Sequence, residues 1–141
     1  MGQSCHVLLV EDNPRDVEIT LSLLADCGLD LEVTVVHDGG EAIDYLYRRG
    51  EFRLRKAGPP SLLLLDVRMP KLDGIEVLKK LKADPATRRI PVVLLTSSRQ
   101  EQDMLGAYAL HADDYIVKPV SPEQLAASIG RALQRAAGQA Q

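Results

Sequence analysis

The chain reads as an α/β protein whose parallel sheet is covered by helices on both faces, and two observations predict this. Short apolar runs at residues 6–10, 31–36, 61–65, 91–95 and 114–117 alternate with stretches of helical periodicity, as strand–helix–strand units require. Several runs, VLLV and LLLL among them, are unbroken by polar residues, which suits strands buried on both faces. A third observation concerns the downstream ends of the strands. Glu11 and Asp12 come directly after VLLV, Asp66 after LLLL, and Lys118 after Tyr115-Ile116-Val117. Open parallel sheets place their sites beyond the carboxyl ends of their strands, so residues distant in sequence are expected to share one pocket.

Taken in order, the first strand leads to Asn13, suited to cap a helix, and Pro14, suited to its first turn. Val17, Thr20, Leu21 and Leu24 then repeat at i, i+3, i+4 and i+7, the spacing of an amphipathic helix. After the second strand and a second helix comes a change in composition. Arg48, Arg49, Arg53, Arg55 and Lys56 crowd into a stretch closed by Gly58-Pro59-Pro60. It reads as a long loop, either simply solvated or a docking surface for an acidic partner. The third helix carries the stripe Val77, Leu78 and Leu81. The last carries Leu125, Ile129, Ala132, Leu133 and Ala136 after Ser121 as N-cap. Five strands and five helices result, with no repeat and a short polar tail after about Gly138.

A length of 141 residues and 45% hydrophobic content suit one domain, 1–141 with a core of about 5–137 and no output domain. The net charge of −3 gives no general attraction to nucleic acid or anionic lipid. No apolar run approaches the ~20 residues of a membrane helix and no signal peptide opens the chain, so a cytoplasmic protein is expected. The start Met1-Gly2-Gln3-Ser4-Cys5-His6 lacks the Ser or Thr that myristoylation wants at the sixth position. Cys5 and Cys27 form no C-x-x-C, and His6, His37 and His111 are too scattered for a metal site. All five read as structural or solvated.

A pocket holding Glu11, Asp12, Asp66 and Lys118 suits a hard divalent cation and a phosphoryl group. Oxygen ligands bind the ion and the ammonium offsets the phosphoryl charge. Each residue alone has a plainer reading. A single acid is usually a solvated charge, an acidic pair after a strand often opens a loop, and Thr96 suits a helix cap. Lys118-Pro119 suits a turn, and Tyr115 suits packing.

As an ordered set these residues resemble the receiver domain of two-component response regulators over nearly the whole chain. The set comprises Glu11-Asp12, Asp66, Met69-Pro70 with Asp73-Gly74, Thr96 ending the fourth strand, and Lys118-Pro119 ending the fifth. The resemblance implies a flavodoxin-like fold with strand order 2-1-3-4-5. It implies that Asp66 is the phosphoacceptor, a carboxylate nucleophile toward the phosphorus of a phosphohistidine. It further implies Mg²⁺ held by Asp12, Asp66 and the backbone carbonyl of Arg68, with Glu11 acting through water. Close acids raise one another's pKa, which such an ion relieves. Lys118 and Thr96 would contact the phosphoryl group, and Tyr115 would swing inward as Thr96 moves. The Lys118-Pro119 peptide would be cis, at a cost of about 0.5–1 kcal/mol. Arg68 and Ser98 would flank the path of hydrolytic water.

The segment Tyr45-Leu46-Tyr47-Arg48-Arg49-Gly50-Glu51-Phe52 resembles the stand-alone regulators served by phytochrome-type sensor kinases. A sensor histidine kinase is therefore the implied partner. A two-fold homodimer through the fourth helix, fifth strand and fifth helix is also implied, with Met104, Ala107, Tyr108, Leu110 and Ile116 near that face; neither nucleic acid nor membrane is expected as a partner. Two alternatives stay open: an intermediate receiver in a phosphorelay, and an Mg-dependent phosphatase with an aspartyl nucleophile. The haloacid dehalogenase type of phosphatase wants an acid two residues after the nucleophile, where this chain has Arg68.

Overall fold

A computed structural model describes residues 5–139 apart from 57, 68, 70–72, 97–113 and 119. Its elements are β1 (Cys5–Val10), α1 (Pro14–Asp26), β2 (Leu31–Val36), α2 (Gly39–Tyr47), a 3₁₀ turn (Gly50–Phe52), β3 (Leu62–Asp66), α3 (Gly74–Ala83), β4 (Val92–Thr96), β5 (Asp114–Val117) and α4 (Pro122–Gln139). The strands form one sheet in the order β2-β1-β3-β4-β5, parallel at every pairing. Five-stranded parallel α/β architecture is thus confirmed. Four α-helices stand among the described residues. The fourth of the five expected helices falls within 97–113, outside them, so α4 is the helix that the sequence places fifth.

Burial divides the side chains between the two sheet faces by the two-residue period of a strand. Leu8, Val10, Leu63, Leu65, Val92 and Leu94 pack with Ala42, Tyr45 and Leu46 of α2 and Val77, Leu78 and Leu81 of α3. Val7, Leu9, Leu62, Leu64, Val93 and Leu95 pack with Leu24 of α1 and Leu125, Ile129 and Ala132 of α4. Each fully buried leucine contributes about 1.5–3 kcal/mol by leaving water. All three predicted helical stripes face the sheet.

Helix starts follow their capping chemistry. The Asn13 side chain accepts from the Arg15 and Asp16 amides at 2.9 and 3.4 Å. Asp38 and Asp73 accept from the Glu41 and Glu76 amides. At α4 the Gln124 amide donates to Ser121 Oγ at 3.1 Å while the Ser121 amide donates to Gln124 Oε1 at 3.0 Å, a reciprocal capping box.

Two differences from the sequence reading bear on function. Strands β3 and β4 each begin and end one residue later than the apolar runs 61–65 and 91–95, and Asp66 and Thr96 close them as their place in the family pattern implies. Asp66 pairs with Leu95 and Thr96 with Val117. The basic segment is also more than a solvated loop. Arg48 closes α2 with φ 53°, and a 3₁₀ turn follows. Arg55 then stacks on the Tyr45 ring at 4.2 Å and donates to the carbonyls of Tyr45 and Gly58.

Candidate functional site

Strand register brings the site together. Val10 pairs with Leu65, so one further step along each strand sets Glu11 beside Asp66. Val117 pairs with Thr96 and the Lys118 amide donates to the Thr96 carbonyl at 2.8 Å, which holds the first residue beyond β5 at the same edge. Alternation then sorts the side chains. Glu11, Asp66 and Lys118 continue the series that faces α1 and α4, whereas Thr96 and Tyr115 continue the series that faces α2 and α3.

Glu11, Asp12 and Asp66 each offer a carboxylate oxygen, and the three lie within 4.8 Å of one another. Glu11 is fully buried, Asp66 nearly so, and Asp12 exposed. Lys118 Nζ lies 3.2 Å from Glu11 Oε1, 3.5 Å from Asp16 Oδ2 and 3.6 Å from Asp66 Oδ2. The Asn13 amide donates to Glu11 Oε2 at 3.3 Å.

Burial, and then the hydrogen bond and negative charge of Asp66, push Glu11 up to about 7, with Lys118 opposing. Near neutrality this buried carboxyl is therefore held between its two protonation states. Burial works against the Lys118 ammonium, but the charges of Asp66, Glu11 and Asp16 outweigh it and raise the pKa above its usual value. A buried carboxyl raised in this way, with two further carboxylates beside it, suits a divalent cation. The residues present fit such an ion, with Asp12 open to solvent and Glu11 and Asp66 anchored below it.

The backbone around Asp66 is held by Gly74. A Cβ built on Gly74 would lie 2.3 Å from the Asp66 carbonyl oxygen and 2.9 Å from Val67 Cα. The Gly74 amide donates to the Val67 carbonyl at 3.0 Å. Only glycine lets the start of α3 rest on the end of β3, which gives the Asp73-Gly74 pair its physical reason.

Of the residues singled out in the sequence, Glu11, Asp12, Asp66 and Lys118 converge. Thr96 is fully buried on the neighbouring strand. Tyr115 is half-buried against the cluster that contains Leu94, its partner in register. Met69 is buried. Arg68, Pro70, Ser98, Met104, Ala107, Tyr108, Leu110, His111 and Pro119, with the cis peptide assigned to it, lie outside the described residues. The sequence reading missed Asp16 as a partner of Lys118. Its place in the first turn of a helix that starts at the site puts it near that edge, but nothing local marks Lys118 as its partner.

Residues 7–130 match the response regulator receiver domain model. The chain belongs to the response regulator receiver family. As a receiver it is 39% identical over 112 residues to "Response regulator Rcp1" of Synechocystis sp., covering 79% of this chain and 75% of that one. The solved structure of the bacteriophytochrome response regulator AtBRR is 47% identical with TM-score 0.85, over 92% of this chain and 93% of that one. The phosphorylated cyanobacterial phytochrome response regulator RcpA is 39% identical with TM-score 0.72, over 97% and 91%. The Mn²⁺-bound form of Rcp1 is 36% identical with TM-score 0.72, over 89% and 88%. The flavodoxin-like strand order is thereby shared with phytochrome-linked response regulators.

Proposed function

We propose that this receiver accepts a phosphoryl group on Asp66 from the phosphohistidine of a sensor kinase, and that the transfer switches its contact surface. The observation that carries this reading is the Lys118 ammonium at 3.6 Å from Asp66 Oδ2, inside a site that also gathers Glu11 and Asp12. An Asp66 oxygen attacks phosphorus, the P–O bond forms, the P–N bond breaks, and the imidazole leaves with the bonding pair.

Mg²⁺ is the assigned ion; by likeness to the family, Asp12, Asp66 and the Arg68 carbonyl would hold it, with Glu11 acting through water. When bound it would neutralise charge on the phosphoryl oxygens. Lys118 supplies a fixed positive charge to the transferred group, and the Thr96 hydroxyl donates to one of its oxygens. Thr96 and Tyr115 continue one sheet face, so inward movement of Thr96 is communicated to Tyr115 through Leu94, which shares that face. Incubation with acetyl phosphate and Mg²⁺, followed by intact mass, tests the reading. A single phosphoryl adduct is expected, lost in Asp66→Asn. Steady release of phosphate from an external phosphomonoester would instead identify a phosphatase.

The kinase is assigned to the phytochrome type, on the likeness to Rcp1, RcpA and AtBRR and on the folded Tyr45–Phe52 segment. Phosphotransfer rates across a panel of histidine kinases check it, with the phytochrome-type kinase expected to be fastest. A two-fold homodimer is assigned to the face around β5 and α4. Strand β5 is the edge of the sheet, and unpaired edges call for cover. Sedimentation velocity with and without a phosphoryl mimic tests the dimer; one monomer boundary in both states at micromolar concentration overturns it.

A further inference from the structure

Asp16 stands outside the acidic trio, yet it shares the same ammonium. Its backbone is fixed by the α1 cap, where the Asn13 side chain accepts from the Arg15 and Asp16 amides. An acid in a first helical turn is favourable simply because it faces the positive end of the helix dipole, and that effect needs no lysine. Here, however, Asp16 Oδ2 lies 3.5 Å from Lys118 Nζ. The ammonium thus has three carboxylates around it, with Glu11 at 3.2 Å and Asp66 at 3.6 Å.

These three acids have different duties. Glu11 and Asp66 belong, with Asp12, to the group close enough to share an ion. A cation at that edge would draw both toward itself. Asp16, on α1, lies outside that group and 3.5 Å from the ammonium. We propose that Asp16 is a positioning residue that competes with the phosphoryl group for the Lys118 ammonium, so that α1 restrains the charge available to the transfer at Asp66. The proposal rests on the reading of Asp66 as phosphoacceptor. Lys118 and Asp16 side chains are 23% and 35% exposed, so solvent weakens the pair and the restraint is modest rather than absolute.

A comparison of wild type, Asp16→Asn, Lys118→Ala and the double variant tests it, each labelled with acetyl phosphate and Mg²⁺ and followed by intact mass. Asp16→Asn is expected to label about one-and-a-half- to fivefold faster than wild type, the range of a partly screened ion pair. In the Lys118→Ala background the same change is expected to have no effect, and Asp16→Glu is expected to keep the wild-type rate. Equal acceleration in both backgrounds would mean that Asp16 acts as a general negative charge and would overturn the proposal. So would unchanged or slower labelling in Asp16→Asn.

A second measurement does not depend on labelling. The ¹⁵N ammonium resonance of Lys118 is expected to move in Asp16→Asn relative to wild type, both without metal and with Mg²⁺. No movement in the Mg²⁺-loaded protein would also overturn the proposal. Wild type that takes no label would count against Asp66 as the acceptor, and the ammonium resonance would still decide whether Asp16 holds Lys118.

Discussion

Strand β1 has a titratable side chain near each end, and the two are treated in opposite ways. His6, near the start, shares its Nε2 between Thr34 Oγ1 at 3.0 Å and the Tyr45 hydroxyl at 3.1 Å. Burial lowers its pKa, with Arg55 adding to the effect and Glu32 opposing. It is a neutral group with partners. Glu11, just past the other end, is fully buried against Asp66 and pushed up to about 7. The first arrangement stabilises the fold and asks for nothing further. The second is a desolvated acid set against a neighbouring carboxyl, a conflict that a cation would relieve, and perturbed acids of this kind cluster at functional sites.

The widest separation between the two ends comes from the nucleophile. Asp66→Asn is expected to abolish labelling by acetyl phosphate while preserving a cooperative thermal transition, because the amide keeps the shape and loses the attacking carboxylate. Label of undiminished yield at another residue would overturn Asp66 as acceptor. Gly74→Ala is expected to follow, at about 2–4 kcal/mol of stability by urea unfolding. The new Cβ meets the Asp66 carbonyl at 2.3 Å, and backbone on both sides leaves little room to yield. A wild-type unfolding midpoint in this variant would show that the contact is slack.

Acidity and alkalinity act on the two ends with opposite sign. Glu11 has a folded pKa above its unfolded value. Its contribution is therefore fully present below about 4.5 and is lost as pH rises through about 7, amounting to on the order of 3 kcal/mol. His6 has a lowered folded pKa, so its contribution is present above about 6.5 and is lost as pH falls. Metal-free Glu11→Gln is expected to lose the decline in stability between about pH 4.5 and 7 that wild type shows. Denaturant midpoints across that range decide it, and Mg²⁺ is expected to flatten the wild-type curve in the same way. A parallel decline in both proteins would place the conflict elsewhere.

Much of this was legible in the sequence, for reasons that are local. Apolar runs located every strand to within a residue, and in β1, β3 and β4 they are the continuous Val and Leu runs of strands buried on both faces. Asn13-Pro14 and Ser121 located two helix starts, because their hydrogen bonds are made within three residues. Glu11, Asp12, Asp66 and Lys118 were found together because they all lie at strand ends. What escaped depends on contacts across space. The Asp16–Lys118 pair spans 102 positions and the Tyr45–His6 bond spans 39, and neither has a local signature.

Arg55 gives the smallest expected effect and the sharpest test of the quieter end. A basic stretch is ordinarily solvated, and on that view Arg55→Lys would be silent. The structure instead sets the Arg55 guanidinium 4.2 Å from the Tyr45 ring centre, with Nε donating to the Tyr45 carbonyl at 3.0 Å and Nη1 to the Gly58 carbonyl at 2.9 Å. Phe52 meets the same ring edge-on at 5.1 Å. A lysine keeps the charge but has neither the planar fork nor the stacking surface. Arg55→Lys and Arg55→Ala are therefore expected to lose similar stability, about 1 kcal/mol, with the labelling rate at Asp66 unchanged. Urea midpoints equal to wild type in Arg55→Lys would return the segment to a simple charged loop. A change in labelling rate without a change in stability would mean that the two ends of β1 are coupled, and the contrast between them would fail.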